Sequence, residues 1–174
     1  MTLRKIIIEP DSLLRKKSET VIKVDKSLKQ LMDDMLETMY KAPGIGLAAV
    51  QIGILKKIVV IDLTKDEEKK NPLYLVNPEI TFLSKKMATY EEGCLSLPGQ
   101  FAEIERPAEC HVKYLDYNGA SKLIEANGLL ATCIQHEIDH LNGVLFIDYL
   151  SKFKKDFIIK KLSKQKKEIE RIVV

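Results

Sequence analysis

Two of the three histidines in the chain lie four residues apart in the stretch TCIQHEIDHLNG, residues 132–143. The stretch is rich in good helix formers, and Asn-Gly pairs at 127–128 and 142–143 flank it, as is typical of the two ends of a helix. On a helix, His136 and His140 lie one turn apart on the same face, so both imidazoles can reach one ion. The sequence therefore predicts a central helix that carries a metal site.

Glu137 lies between these histidines, about 100° around the helix from His136 and roughly 60° from His140. In that position it flanks the ion without needing to bind it, where a base acting on metal-bound water should lie. The alternative is a helix with two histidines satisfied by ordinary hydrogen bonds. We favour the metal site, because chance would produce an HExxH match in such a chain well under about 1% of the time.

A catalytic metal site also needs a third protein ligand and an open position. Downstream of His140 the candidates are poor: position 146 is Phe, and the remaining glutamates lie far out on a basic tail. Upstream, the best candidate is Cys94 in EEGCLSLPG, because a thiolate binds Fe²⁺, Co²⁺, Ni²⁺ and Zn²⁺ well. Cys133 is expected to line the core or a pocket wall, and His111, in a strand pattern, is expected to be structural.

The hydrophobic pattern predicts one α+β domain over residues 1–174. Residues 25–41 form an amphipathic helix with Asp25 as its N-cap and a methionine stripe that packs into the core. The predicted strands are KIVVIDL (57–63), LYLVNPEI (73–80), ECHVKYLDY (109–117) and KLIEANG (122–128). We expect mostly antiparallel strands packed around the central helix that carries HEIDH, with a basic C-terminal helix over 151–174.

The C-terminal segment has a charge of its own. Residues 151–174 carry nine Lys/Arg against three Asp/Glu, a net charge of +6. Because the whole chain carries +3, residues 1–150 carry −3. This pattern indicates either a solvated helix or one that meets a polyanion. One stripe is predicted to pack on a surface: Phe153, Phe157, Ile158 and Leu162.

The three cysteines are odd in number and scattered, which disfavours a disulfide framework. The N-terminal run of three isoleucines is too short for a signal segment, and no stretch approaches the length of a membrane span. We therefore expect a soluble, cytoplasmic protein with no membrane association. A monomer is also expected, although no motif in the sequence addresses the oligomeric state.

The glycines of GIGLAAVQIG, 44–53, could suggest a phosphate loop, but the segment lacks the Lys and Ser/Thr of a P-loop. We interpret it as a loop whose backbone approaches a ligand, with Gln51 offering an amide donor.

Three segments, in order, resemble the motifs of the peptide deformylase family: GIGLAAVQ (44–51), EGCLS (92–96) and HEIDH (136–140). The resemblance covers almost the whole chain. Two positions depart from the common pattern, Val50 and Phe101, where many members have proline or threonine and arginine, respectively. Neither is a catalytic position.

The resemblance implies a metal site of Cys94, His136 and His140, with water as fourth ligand and Glu137 as general acid and base. It also implies that the Gln51 amide and the Leu95 backbone N–H stabilise an oxyanion. The ion is expected to be Fe²⁺, replaceable by Ni²⁺, Co²⁺ or Zn²⁺.

The implied reaction is hydrolysis of the N-formyl group from the initiator methionine of new polypeptides, with release of formate. The residues expected to border the methionine pocket and the substrate strand are Gly44, Ile45, Gly46, Tyr90, Glu92, Leu129 and Cys133. The basic C-terminal helix is expected to meet the ribosome. Two alternatives stay open at this point: a zinc endopeptidase of the HExxH type, and a binding module whose metal is structural.

Overall fold

The computed structural model describes residues 2–64 and 69–172, with side chains described as far as residue 168. Along these residues the helices and strands are α1 (Lys26–Lys41), β1 (Gly46–Ala48), β2 (Ile58–Ile61), β3 (Leu73–Leu83), β4 (Met87–Cys94), β5 (Leu97–Pro107), β6 (Glu109–Leu115), β7 (Ser121–Asn127), α2 (Gly128–Leu141) and α3 (Lys152–Ile172). Short 3-10 turns cover Ser12–Arg15, Ala49–Ile52 and Phe146–Tyr149. The predicted α+β fold class is confirmed, and residues 173–174 of the predicted basic helix lie outside the described residues.

The strands form a five-stranded sheet in the order β1-β2-β3-β6-β7 and a separate hairpin, β4-β5. All of these pairings are antiparallel. The sheet is covered on both faces, which explains why β2 is apolar at every position. Val59 and Ile61 pack in one cluster with α2, whereas Ile58 and Val60 pack in another with α1.

Helix α1 begins where the sequence predicts. The Asp25 carboxylate accepts a hydrogen bond from the Leu28 backbone N–H at 2.9 Å, as an N-cap should. Met32, Met35 and Met39 are fully buried against the sheet, so the methionine stripe is core packing, as predicted.

Helix α2 lies between the sheet and the β4-β5 hairpin and is buried along most of its length. Ile134, Ile138 and Leu141 pack on the sheet, and the polar side chains face the hairpin. The helix is followed by Gly143 with φ +76°, a left-handed conformation that favours glycine. A Cβ at this position would collide with the backbone carbonyl oxygen of Arg15.

Two sequence interpretations need correction. Residues 44–53 are not a loop throughout: they contain β1 and the 3-10 turn Ala49–Ile52. In the C-terminal stripe, Ile158 and Leu162 are buried, but Phe153 and Phe157 are 82% and 62% exposed. The reason is angular, because Phe157 lies about 100° around the helix from Ile158 and so leaves the packed face.

No helix in the described part of the chain is both long and apolar enough to cross a lipid bilayer.

The close approach of Gly143 to the Arg15 backbone yields a stability prediction. Gly143→Ala should lower the free energy of unfolding, because it adds both left-handed strain and overlap with the Arg15 carbonyl. Gly53→Ala is the matched control: its φ is +81° and a Cβ there would meet nothing within 4 Å. We expect about 1 kcal/mol from strain at position 53 and at least about 2 kcal/mol more at position 143. Urea denaturation measures both, and equal losses would contradict the packing argument.

Candidate metal centre and cleft

Three metal-ligating side chains from two elements meet at one point. Cys94 ends β4, and His136 and His140 lie one turn apart on α2. One potential ligand atom of each lies within 4.8 Å of the other two, and the Cys94 Sγ is 3.2 Å from the His140 Nε2. The structure thus brings together the three residues that the sequence singled out as ligands.

The hairpin aims the cysteine at the helix. Glu92 and Cys94 are two residues apart on β4, so their side chains leave the same face of the strand. The pairing with β5 shifts register between Gly93 and Cys94, where Gly93 lies opposite Phe101 and Cys94 opposite Leu97. The extra residues lie on β5, at positions 98–100, so the bulge bends β5 next to the cysteine. Bulges of this kind are common beside functional sites.

Glu92 fixes the orientation of His136. Its Oε2 lies 2.8 Å from the His136 Nδ1, so that imidazole presents its Nε2 to the centre. Arg106 on β5 donates to both carboxylate oxygens of Glu92, with distances of 2.6 and 3.0 Å. Arg106 also donates to Asp139 Oδ2 at 2.7 Å. Buried carboxylates that hold a ligating histidine in this way set its tautomer and its basicity.

Sequence reasoning missed Arg106, and it named Glu92 only as a residue bordering the substrate, not as the partner of Arg106 and His136. Arg106 is only 3% exposed, and a buried guanidinium needs paired carboxylates. Arg106 alternates with Ala102 and Ile104, so the sequence places it on the same, otherwise apolar face of the strand. Its partners are distant in the sequence, which is why the buried ion pair was not predicted. Burial opposes ionisation of Glu92, but hydrogen bonds from His136 and Arg106 outweigh it and lower the pKa of that carboxyl.

Glu137 lies in the same cleft but outside the three-residue cluster. It is 4% exposed, and its Oε2 is buried without a hydrogen-bond partner. Burial raises the pKa of Glu137 to about 7. This carboxyl is therefore close to the balance between its two protonation states at neutral pH.

The donor set fits a divalent transition metal. Burial lowers the pKa of His140 well below its ordinary value, so this imidazole is neutral and has a lone pair to offer. For His136 burial acts in the same direction, but hydrogen bonds to Cys94 and Glu92 outweigh it and raise the pKa, so a metal ion would displace a proton from this imidazole on binding. A cysteine sulfur and two imidazoles are suited to Fe²⁺, Ni²⁺, Co²⁺ or Zn²⁺ rather than to Mg²⁺ or Ca²⁺.

Gln51 is held with its amide group next to the cysteine. Its Oε1 accepts a hydrogen bond from the Ala48 N–H at 2.8 Å, which orients the amide. Its Nε2 then donates to the Ser96 hydroxyl at 3.1 Å and lies 3.5 Å from the Cys94 Sγ. Ser96, which sequence reasoning did not single out, is fully buried and completes this arrangement.

A cavity of about 420 Å³ opens from these residues to the surface. Of the residues expected to border the substrate, the following line it: Gly44, Ile45, Gly46, Glu92, Leu129 and Cys133. Leu95 also lines it, whereas Tyr90 is not among the lining residues. A Cβ on Gly46 would collide with Glu137 Oε1, so this glycine leaves room for the carboxylate.

The remaining histidine and cysteine lie elsewhere. His111 on β6 stacks on Phe82, with ring centroids 4.6 Å apart, as expected of a structural residue. Cys110 is fully buried between the sheet and α2. The residue six positions after His140, Phe146, is a buried core side chain, so it offers no downstream ligand.

A cysteine and two histidines beside a buried carboxylate, at the inner end of a cleft, are typical of a metal-dependent hydrolase. Comparison with known proteins identifies the family. The family model described as polypeptide deformylase matches residues 3–156. A peptide deformylase from Pelagibacter ubique is 62% identical over all 174 residues and over its own full length, and one from Rhizobium meliloti is 54% identical over 96% of both chains.

Solved structures agree with this result. The crystal structure of peptide deformylase from Ehrlichia chaffeensis in complex with actinonin is 48% identical, with a TM-score of 0.91 over 95% of this chain and 98% of that one. The chain belongs to the polypeptide deformylase family. It is therefore a hydrolase that removes the N-formyl group from newly synthesised polypeptides, and the endopeptidase and binding-module alternatives are not supported.

The buried Arg106 network makes a specific stability prediction. Arg106→Met should destabilise the protein by about 3–5 kcal/mol, because it leaves the Glu92 carboxylate buried without its main partner. Arg4→Met is the matched control, since Arg4 also makes two hydrogen bonds to one carboxylate, that of Asp34, but its own side chain is 41% exposed. Asp34 is itself buried, but it keeps hydrogen bonds from the Thr2 N–H and the Gln30 amide when Arg4 is replaced, so this loss should be smaller, about 1–3 kcal/mol. Comparable losses in the two variants, measured by urea denaturation, would contradict this account.

Proposed function

We propose that Cys94, His136 and His140 hold the catalytic metal ion in this cleft, and that Fe²⁺ is the native ion, replaceable by Ni²⁺, Co²⁺ or Zn²⁺. The observation that carries this proposal is the convergence of the three ligand atoms within 4.8 Å. The Glu92 carboxylate supports it, because it occupies the Nδ1 of His136 and leaves the other nitrogen for the ion. When bound, such an ion polarises a carbonyl and makes water a stronger acid.

Glu137 moves the proton in this proposal. Its carboxylate accepts a proton from the attacking water and later delivers it to the amine nitrogen that leaves the formyl carbon. Water and the formamide thus give formate and a free amino terminus. The buried, unpartnered Oε2 and the pKa near 7 suit a group that both takes and gives a proton. A cation beside it would favour the ionised form and so the base.

Negative charge develops on the formyl oxygen as water adds, and two donors are proposed to stabilise it. These are the Gln51 amide and the Leu95 backbone N–H. Gln51 suits this role because the Ala48 N–H fixes which end of its amide faces the cleft. Donors that are oriented in advance need no reorganisation as the charge appears, which makes them effective in catalysis.

The substrate is proposed to be the formylated initiator methionine and the extended chain that follows it. Cys133 and Leu129 line the cavity and offer apolar surface to the methionine side chain. β1 is an edge strand of its sheet, and its first residue, Gly46, lines the same cavity together with Ile45, which precedes it. An extended peptide can therefore lie along this edge as an added strand.

We further propose that the protein works as a monomer in the cytoplasm and meets nascent chains at the ribosome through α3. On α3 the side chains of Lys152, Lys154, Lys160, Lys161, Lys164, Lys166 and Lys167 are exposed. Ile158 and Leu162 dock on the body of the protein, and the exposed lysines are distributed around the rest of the helix surface.

The metal assignment is tested with Cys94→Ser. Loss of the thiolate should weaken metal retention and nearly abolish deformylation while the fold survives. Cys110→Ser is the control, because it also removes one thiol, but from the core and away from the cluster. Metal content after gel filtration without oxygen, together with hydrolysis of a formyl-Met peptide, gives the answer. Full metal content and activity in Cys94→Ser would refute the assignment.

The role of Glu137 is tested with Glu137→Gln, which keeps the size of the side chain. It should retain bound metal and lose about 10²–10⁴-fold in turnover, the usual contribution of general acid–base assistance. Glu125→Gln, an exposed carboxylate on β7, controls for the loss of one charge. Should Glu137→Gln lose its metal stoichiometrically, Glu137 is a ligand and the proposed proton transfer is wrong.

Ribosome binding is tested by substitution, because deleting α3 would also remove the buried Ile158 and Leu162. The triple variant Lys160→Gln, Lys161→Gln, Lys164→Gln should pellet less with ribosomes and show a weaker salt dependence. Each lost phosphate contact removes about 0.7–0.9 from the slope of log affinity against log salt. The control, with equal charge change, is Lys85→Gln, Lys86→Gln, Lys122→Gln, and short-peptide hydrolysis verifies an intact cleft. If the two triple variants pellet equally with ribosomes, α3 is only a solvated helix and does not bind the ribosome.

A further inference from the structure

Three large hydrophobic side chains are exposed at the outer end of the cleft. Ile45, Phe101 and Leu129 all line the cavity and expose 40%, 64% and 46% of their surface, whereas His136 and Glu137 at its inner end are buried. We call Ile45, Phe101 and Leu129 the rim. Exposed apolar side chains that share one cavity mouth differ from scattered surface residues, because a ligand leaving the cavity has to pass them.

Phe101 is the largest and most exposed member of the rim, and it is held in place. It pairs with Gly93 across the β4-β5 hairpin. A Cβ built on Gly93 would come within 2.5 Å of a Phe101 ring carbon, so the ring lies directly over the glycine backbone. The aromatic surface is therefore anchored one residue away from Cys94, at the start of the exit from the cleft.

The charge at the cavity mouth is negative. Glu91 lines the cavity and is exposed, and the described lining residues include no lysine or arginine. A carboxylate brought to this mouth would meet apolar surface and a like charge. An apolar side chain would instead exchange water for contact with the Phe101 ring.

We propose that the rim selects substrates by the residues that follow the formylated methionine, favouring an apolar side chain and disfavouring an acidic one. This rests on the proposed function, which places the formyl group at Glu137. An extended chain advances about 3.3–3.6 Å per residue, so the second and third residues of the substrate are the ones that reach the rim. Phe101 is thus a specificity-determining residue.

Two series of peptides test the proposal, formyl-Met-X-Ser and formyl-Met-Ala-X, with X as Leu, Ala or Asp. In at least one series the wild-type protein should prefer Leu over Ala by roughly 3- to 10-fold in kcat/KM, the range expected of one aromatic–apolar contact. Asp should be the poorest substrate. Phe101→Ala should lose the preference for Leu over Ala. Glu91→Gln should reduce only the ratio of kcat/KM between the Ala and Asp peptides.

Phe82→Ala is the control, since Phe82 is another exposed phenylalanine, on β3, that does not line the cavity. This variant should keep the wild-type preferences. Equal kcat/KM for Leu and Ala in both series, or an unchanged preference in Phe101→Ala, would overturn the role of the rim. A wild-type protein that hydrolyses none of these peptides would overturn the proposed function itself, which is a separate and distinguishable result.

Discussion

The chain of contacts from Arg106 through Glu92 to His136 joins three elements, β5, β4 and α2, and the rest of the site depends on it. All three side chains are almost completely buried. A buried ion pair of this kind adds little net stability, but removing one member is strongly destabilising. The geometry is therefore tightly specified: the hairpin can dock on α2 only where Glu92 meets both of its partners. In that position Cys94, two residues further along β4, faces the two histidines.

The same contacts balance the charge of the centre. The ionised Glu92 lies between Arg106 and His136, and its pKa is lowered by the hydrogen bonds that these two groups make to it. Glu137, in contrast, has no such partner, and burial raises its pKa. Two glutamates within one cleft thus have different protonation behaviour because of their surroundings. One holds a ligand in place, and the other is free to exchange a proton.

Local features of the fold were predictable from sequence, but distant pairings were not. The start of α1 at Asp25 and the end of α2 before Gly143 depend on residues within a few positions, so capping rules locate them. The β4-β5 hairpin escaped prediction because its outer face carries exposed charges and its register shifts beside Cys94. Arg106 escaped for a related reason, since its partners Glu92 and Asp139 are 14 and 33 positions away. Cys94 was expected near the histidines because the ligand chemistry left few alternatives, and the structure brings the three side chains together. The spacing of Cys94 and the histidines in the sequence gives no information about this contact.

The central claim is that one sulfur and two imidazole nitrogens of this chain surround the metal ion. X-ray absorption spectroscopy of protein loaded with Co²⁺ or Ni²⁺ tests this claim directly, since sulfur lies farther from such ions than nitrogen or oxygen and scatters more strongly. The account predicts one sulfur ligand in the wild-type protein, and a shell of nitrogen and oxygen only in Cys94→Ser. A wild-type spectrum without sulfur would contradict the account, as would one with two sulfur ligands.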